Sequence, residues 1–212
     1  METTDKVYLY GASGHAKVVK DIAKLANVDV PCMIDDNPLV TELAGLPVVH
    51  SFEGLSPIIV TIGDCQIRRK IVNKLGKRVY MSLVHPGAIL ADTVYLGYGT
   101  VVMAGAILNP YATVGDHCII NTGASIDHDC KIHDFVHVSP GCTLCGEVEV
   151  GEGTWVGAGA TVKQGVHIGK NSFIGAGSVV IKDVPDGMVV VGVPARILRK
   201  NTQNHYEEGG NF

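Results

Sequence analysis

From Ile89 to Val184 the chain repeats every six residues, in 16 consecutive hexads without a slip. The second residue of each hexad is Leu, Ile or Val, from Leu90 through Val180, and the sixth is small or β-branched. A helix of period 3.6 and a flat strand of period 2 both fail to give a strict six. A parallel β-helix does. Each hexad supplies a short strand and a turn, the aliphatic position stacks through the interior, and the small position fits the corner. Successive coils then lie about 4.8 Å apart and pair their backbones.

The pattern upstream is different. Lys6–Tyr10 reads as a buried strand and Val18–Ala26 as a helix. Cys32–Ile34 and Ile58–Gly63 read as further strands. Residues 65–76 carry Ile67, Ile71, Val72 and Leu75 at helical spacing and end in Gly76. This β-α-β-β-α order predicts a small Rossmann-like domain. A fourth strand is expected near Val79–Leu83, with a boundary at His85-Pro86. The expected units are therefore 1–84 and 85–200, followed by a polar tail at 201–212 expected to be disordered.

Composition narrows the function classes. With 212 residues there is room for two small cores. The formal net charge of −4 leaves no basic footprint for nucleic acid. No apolar run reaches membrane-spanning length, and the polar start is unlike a signal peptide, so a soluble, cytoplasmic protein is expected. Of six cysteines, Cys118, Cys130 and Cys142 occupy the small corner position, where a compact core thiol fits. Cys142 and Cys145 form one CxxC without a partner pair, a weak zinc or redox signal.

Two stretches carry chemistry. Gly11-Ala-Ser-Gly14-His15-Ala-Lys17 joins a strand to a helix, a place where backbone N–H groups face an anion. Asp35 and Asp36 end the second strand about 20 residues on, where an acid meets a ribose hydroxyl in nucleotide folds. In the repeat, His128 lies between Asp127 and Asp129. A neighbouring carboxylate orients an imidazole and raises its basicity.

The unbroken hexads resemble the hexapeptide-repeat acyltransferases. The resemblance implies a left-handed β-helix with three hexads, or 18 residues, per coil. YGASGHAKVV at the start, IDD after the second strand and IGD at the third resemble one branch of these, the PglD/NeuD-like sugar-nucleotide N-acetyltransferases. The fold class implied is an α/β Rossmann-like domain followed by an all-β left-handed parallel β-helix.

The same resemblance implies that Ser13, Gly14, His15, Asp35, Asp36 and Gly63 hold a UDP-linked amino-sugar, with Lys17 near its phosphates. It places His128 as general base and Asp129 as its support, where family members often carry Glu. Gly146, one coil beyond His128, is expected to offer its N–H to the thioester oxyanion. His137 matches a histidine contacting acetyl-CoA, and Asn121 a residue of the acceptor side. Ala158-Gly159 and Ala176-Gly177, 18 apart, would lie along pantetheine, and Arg196 in GVPAR would meet the CoA phosphates.

Acetyl-CoA is the expected co-substrate. The resemblance implies a homotrimer as well, and Met103, Phe135 and Trp155 read as outward apolar residues that a monomer would leave wet. A γ-class carbonic-anhydrase-like zinc site is disfavoured. His128 and His133 suit it, but the third ligand position is Asp92. Acetylation of a hydroxyl on the same fold, or nucleotide-sugar binding without catalysis, are the alternatives.

Overall fold

The computed structural model of the chain describes residues 5–51, 54 and 57–202. The N-terminal unit is a five-stranded sheet with two helices. Its elements are β1 (Tyr8–Tyr10), α1 (Gly14–Leu25), β2 (Met33–Ile34), β3 (Glu42–Leu43), β4 (Leu46–Val49), β5 (Ile58–Val60) and α2 (Cys65–Leu75). The strand order is β3-β4-β2-β1-β5. β1 pairs in parallel with β2 on one side and β5 on the other. The connections therefore part at β1, leaving a crevice beyond the strand C-termini. α1 buries Ala16, Val19, Ile22 and Ala23, one stripe of an amphipathic helix.

The β3–β4 hairpin was not expected from the sequence. Its turn residues Ala44 and Gly45 both have positive φ, 52° and 76°, the twist that a tight hairpin requires. Ala-Gly is a weaker hairpin signal than Asn-Gly, and so the segment does not announce itself.

The solenoid begins one hexad earlier than expected. β6 (Leu83–Val84) pairs with Val101–Val102 as a full rung. Leu83–Ala88 obeys the rule, with Val84 second and Ala88 sixth. The strand expected at Val79–Leu83 is divided between the two units: Tyr80 bridges to Ile58 in the N-terminal sheet, and Leu83 belongs to the coil. The expected tail begins with two described residues, and 203–212 lie outside the described residues.

From Leu83 through Val162 each rung pairs with the one 18 residues on, as in Leu108↔Ile126↔Leu144. Three parallel sheets form the three faces of a left-handed β-helix. The second residue of each hexad fills the axis, and from Val102 through Val180 all are buried. The hairpin Met188–Gly192/Ala195–Lys200 closes the far end of the first face.

The faces differ outside. The first presents Leu83, Val101, Ile119, His137, Trp155 and Phe173, and the N-terminal unit lies on it. The second presents Ile89, Ile107, Ser125, Thr143, Thr161 and Val179, none of them charged. The third presents Tyr95, Thr113, Lys131, Glu149 and His167.

This corrects the reading of Met103, Phe135 and Trp155. Met103 is buried with Val101 and Ile119 against α1. Phe135 stacks on His117 at 5.2 Å, and Trp155 on His137 at 4.8 Å. The chain's own N-terminal unit covers this face, at roughly 1.5–3 kcal/mol per fully buried side chain. A hexad pattern shows which residues point outward but not which face is already occupied.

Candidate active site

The four histidines that cluster in sequence separate in space. His117 and His137 are enclosed on the first face, and His133 stands on the third, donating Nε2–H to Glu149 at 2.7 Å. His128 alone projects from the corner between the second and third faces. It follows the rung Ser125–Ile126, and its side chain is 47% exposed.

The turn fixes that histidine from both sides. Asp127 Oδ1 accepts the His128 backbone N–H at 2.8 Å and the Asn109 side-chain amide at 2.8 Å. Asp129 sits in the left-handed region, φ 58°, which Asp tolerates better than most residues. Its Oδ2 lies 2.8 Å from His128 Nδ1. A carboxylate there makes Nδ1 the protonated nitrogen and leaves Nε2 with a free lone pair. The same hydrogen bond holds the His128 pKa above the ordinary imidazole value. Asp129, though shorter than Glu, reaches the ring.

Nε2 points at Gly146. A Cβ on that glycine would lie 2.5 Å from Nε2 and 2.6 Å from Cε1. Glu147 N–H donates to the His128 carbonyl at 2.9 Å, which fixes the stacking of the two turns. Among the described residues the Gly146 N–H has no hydrogen-bond partner. A lone-pair acceptor and an unpaired N–H thus meet in one place, the pair that acyl transfer to an amine uses.

The remaining expected residues fall into two further groups. Ala158, Gly159, Ala176 and Gly177 are exposed together at the corner between the first and second faces. The Gly177 N–H donates to the Ala158 carbonyl at 2.8 Å, so that carbonyl is already committed to the coil. Arg196 is exposed on the closing hairpin, near the same end.

In the N-terminal unit, Ser13, Gly14 and Lys17 are exposed at the start of α1, and the Ser13 side chain does not cap the helix. Asp35 is turned into its own loop, accepting from Ala12 N–H at 2.7 Å and Asn37 N–H at 2.9 Å. Asp36 accepts from Tyr10 Oη at 2.7 Å and Lys74 Nζ at 3.0 Å. Asp35 and Asp36, the acids expected at the ribose, carry intramolecular partners, Asp35 bracing the glycine loop and Asp36 tying β2 to α2.

His137, expected at acetyl-CoA, lies in the seam between the two units. Its ring is 7% exposed, with Nδ1 donating to the Gly63 carbonyl at 3.1 Å and Nε2 3.1 Å from the Asn121 amide. Burial first, then the Arg68 charge, press its pKa down to about 3. Within the single chain it is a neutral residue of the seam between the two units. His15 borders the same seam, and burial holds its pKa down to about 4. Its Nε2 is sealed from solvent and has no hydrogen-bond partner among the described residues.

Sequence reading missed Arg68. This residue of α2 is 1% exposed, at the junction of the two units. The available signal was a charged residue in register with Ile71, Val72 and Leu75 in an otherwise apolar stripe.

Comparison with known proteins agrees with this layout. Residues 6–75 match the PglD N-terminal domain, and residues 147–182 match the bacterial transferase hexapeptide (six repeats). The crystal structure of PerB from Caulobacter crescentus in complex with CoA and GDP-perosamine is 38% identical. The match covers 92% of this chain and 98% of that one, with a TM-score of 0.86. The acetyltransferase domain of PglB from Neisseria gonorrhoeae, in complex with acetyl coenzyme A, is 36% identical over 92% of this chain and 100% of that one, with a TM-score of 0.86. The UDP-N-acetylbacillosamine N-acetyltransferase of Bacillus subtilis is 39% identical over 109 residues, 46% of this chain. The chain spans half or less of the curated relatives it matches, 50% of the Bacillus protein and 21% of an uncharacterised mimivirus protein. With family matches in both units and full-length likeness to solved members, the chain belongs to the PglD/NeuD-like family of hexapeptide-repeat sugar acetyltransferases.

Proposed function

We propose that the chain transfers the acetyl group of acetyl-CoA to the amino group of a nucleotide-linked amino-sugar, with a UDP-4-amino-sugar as acceptor. The observation that carries this reading is the Nε2 of His128 facing Gly146, whose N–H has no hydrogen-bond partner among the described residues. The amine nitrogen attacks the thioester carbon and gives its proton to Nε2. The carbonyl oxygen, negative in the tetrahedral intermediate, is held by the Gly146 N–H. The C–S bond breaks, and the CoA thiolate takes a proton as it leaves. Asp129 stabilises the imidazolium that forms between these steps.

Acetyl-CoA lies with its thioester at Gly146, and Ala158, Gly159, Ala176, Gly177 and Arg196, at the other edge of the second face, meet its far end from a neighbouring copy of the chain. The nucleotide diphosphate occupies the uncapped start of α1, at Ser13, Gly14 and His15, beside Gly63. The relatives support the class of acceptor: the Bacillus protein is named for a UDP-sugar, and the Caulobacter structure holds GDP-perosamine.

The nucleotide loop sits over the first face and His128 at the opposite corner. A second copy of the chain brings its loop to this His128. The uncharged second face, with Ile89 and Ile107 exposed, is the surface on which copies pack as a trimer.

Acetyl transfer from acetyl-CoA to a panel of UDP- and GDP-linked 4-amino-sugars tests the reading. Turnover with a UDP-4-amino-sugar is expected, and His128→Ala should lower kcat by about 10²–10⁴-fold with the fold intact. Transfer to a hydroxyl would replace the N-acetylation reading, and near-normal kcat in folded His128→Ala would remove the general base.

A further inference from the structure

The most unusual charge in the molecule is buried. Arg68 is sealed at the junction of the units, and its guanidinium meets carbonyl oxygens. Nε donates to His117 O at 2.8 Å. Nη1 donates to Ile62 O at 2.8 Å and Gly63 O at 3.0 Å. Nη2 donates to Phe135 O at 2.8 Å and Val136 O at 3.4 Å. Among the described residues Arg68 forms no ion pair. The nearby acids have other partners: Asp64 caps α2 through the Gln66 and Ile67 N–H groups, Asp116 accepts the Tyr98 N–H, and Asp134 accepts the Asp116 N–H.

Burying a guanidinium without a counter-charge is expensive even when its N–H groups are satisfied. The charge is felt nearby, since it lowers the pKa of both His15 and His137, after burial itself. The surroundings add to the same sign. The N-terminus of α1 carries a partial positive charge and has no side-chain cap. Ile62 and Gly63, which the guanidinium grips, follow β5 beside the glycine loop, and Ile62 packs where a Gly11 side chain would stand. His117 and Phe135 come from consecutive coils of the solenoid.

We propose that Arg68 is a positioning residue that fixes the nucleotide loop to the solenoid and supplies buried positive potential for the diphosphate of the sugar nucleotide, which is its missing counter-charge. This rests on the nucleotide-sugar reading above. A guanidinium is suited to both tasks, because its planar fork spans carbonyls from two units while staying charged. A structural staple alone needs no charge, and an amide or ammonium would substitute for it according to shape. A potential source needs the charge, and any cation that fits retains it.

Titration calorimetry with UDP, with GDP as the alternative nucleotide and acetyl-CoA as the control ligand, separates these. Arg68→Gln should weaken nucleotide diphosphate binding by roughly 10-fold or more, as expected for opposite charges several Å apart at intermediate dielectric. Acetyl-CoA affinity should stay within about 2-fold, because its residues lie at the far end of the coil. Arg68→Lys should retain most of the nucleotide affinity while its thermal midpoint falls, because charge is kept and carbonyl contacts are lost. Nucleotide affinity unchanged in a folded Arg68→Gln protein overturns the proposal. So does a Lys variant that loses as much nucleotide affinity as its stability predicts, which is readable even if the Gln variant does not fold. Wild-type protein that binds neither nucleotide overturns the nucleotide reading itself, and this proposal with it.

Discussion

Replacing Gly146 by alanine should damage catalysis while sparing the fold, and the size of the effect follows from geometry. The new methyl would lie 2.5 Å from His128 Nε2, 2.6 Å from Cε1 and 3.2 Å from Cδ2, against about 3.4 Å for an ordinary contact. The imidazole must therefore retreat by about 1 Å, a displacement that costs roughly 10²-fold in rate when reacting groups need near-attack alignment. That is about 2.7 kcal/mol of barrier. The ring is 47% exposed and swings outward without disturbing the core. Gly146 lies outside the left-handed region, so alanine brings no backbone strain of its own. Stability should stay within about 0.5 kcal/mol. Gly105→Ala supplies the contrast. Its φ of 68° strains any side chain, yet its nearest neighbour is 3.9 Å away and it is remote from His128. That variant should lose about 1–2 kcal/mol of stability and little kcat. The assay is thiol release from acetyl-CoA under saturating acceptor, with urea unfolding alongside. A folded Gly146→Ala protein with kcat within threefold of wild type would refute the placement of the reacting carbonyl.

Three further outcomes are expected. The pKa of His128 is raised by its hydrogen bond to Asp129 and a base must be neutral, so kcat/KM should rise with pH to a plateau. Asp129→Asn should move that rise to lower pH, and an unmoved profile would detach Asp129 from the base. His15 and His137 are held neutral in the fold, with pKa values of about 4 and about 3 against an ordinary 6.5. The unfolded chain then binds more protons below pH 6.5. Stability is complete above that pH and falls toward pH 4 by about 1.4 kcal/mol per unit for each histidine, a slope that urea midpoints at pH 7.5, 6 and 5 would reveal and His137→Gln should reduce. Ile107→Glu places a charge on the second face. Sedimentation should show three times the 22.4 kDa chain mass for wild type and one times for the variant, and equal masses for both would remove that face from the interface.

The solenoid was legible because every rung answers to the same constraint. Leu90, Leu108 and Ile126 face one axis, and Ala106, Ala124 and Cys142 meet one corner. His128 stood out because its neighbours are carboxylates, and the 18-residue period placed Gly146 beside it. What failed to appear is what depends on contacts between distant segments. The covering of Met103 by α1, the enclosure of His137 by Gly63 and the grip of Arg68 on His117 join residues 49–87 positions apart. Local patterns record only that such residues are apolar, titratable or charged. Asp35 and Asp36 illustrate the same limit: their position at the end of β2 was correct, but their partners Ala12, Tyr10 and Lys74 were not readable from it.

The first rung also bears on how the chain folds. Each coil pairs with its neighbours 18 residues before and after, so winding is a local process that proceeds as the chain lengthens. The difficult step in such a process is the first coil, which has no predecessor to pair with. Leu83–Val84 packs directly on α1, an element that is made earlier in synthesis. The N-terminal unit therefore serves as the surface on which winding starts, and the coil inherits its starting register from a finished helix.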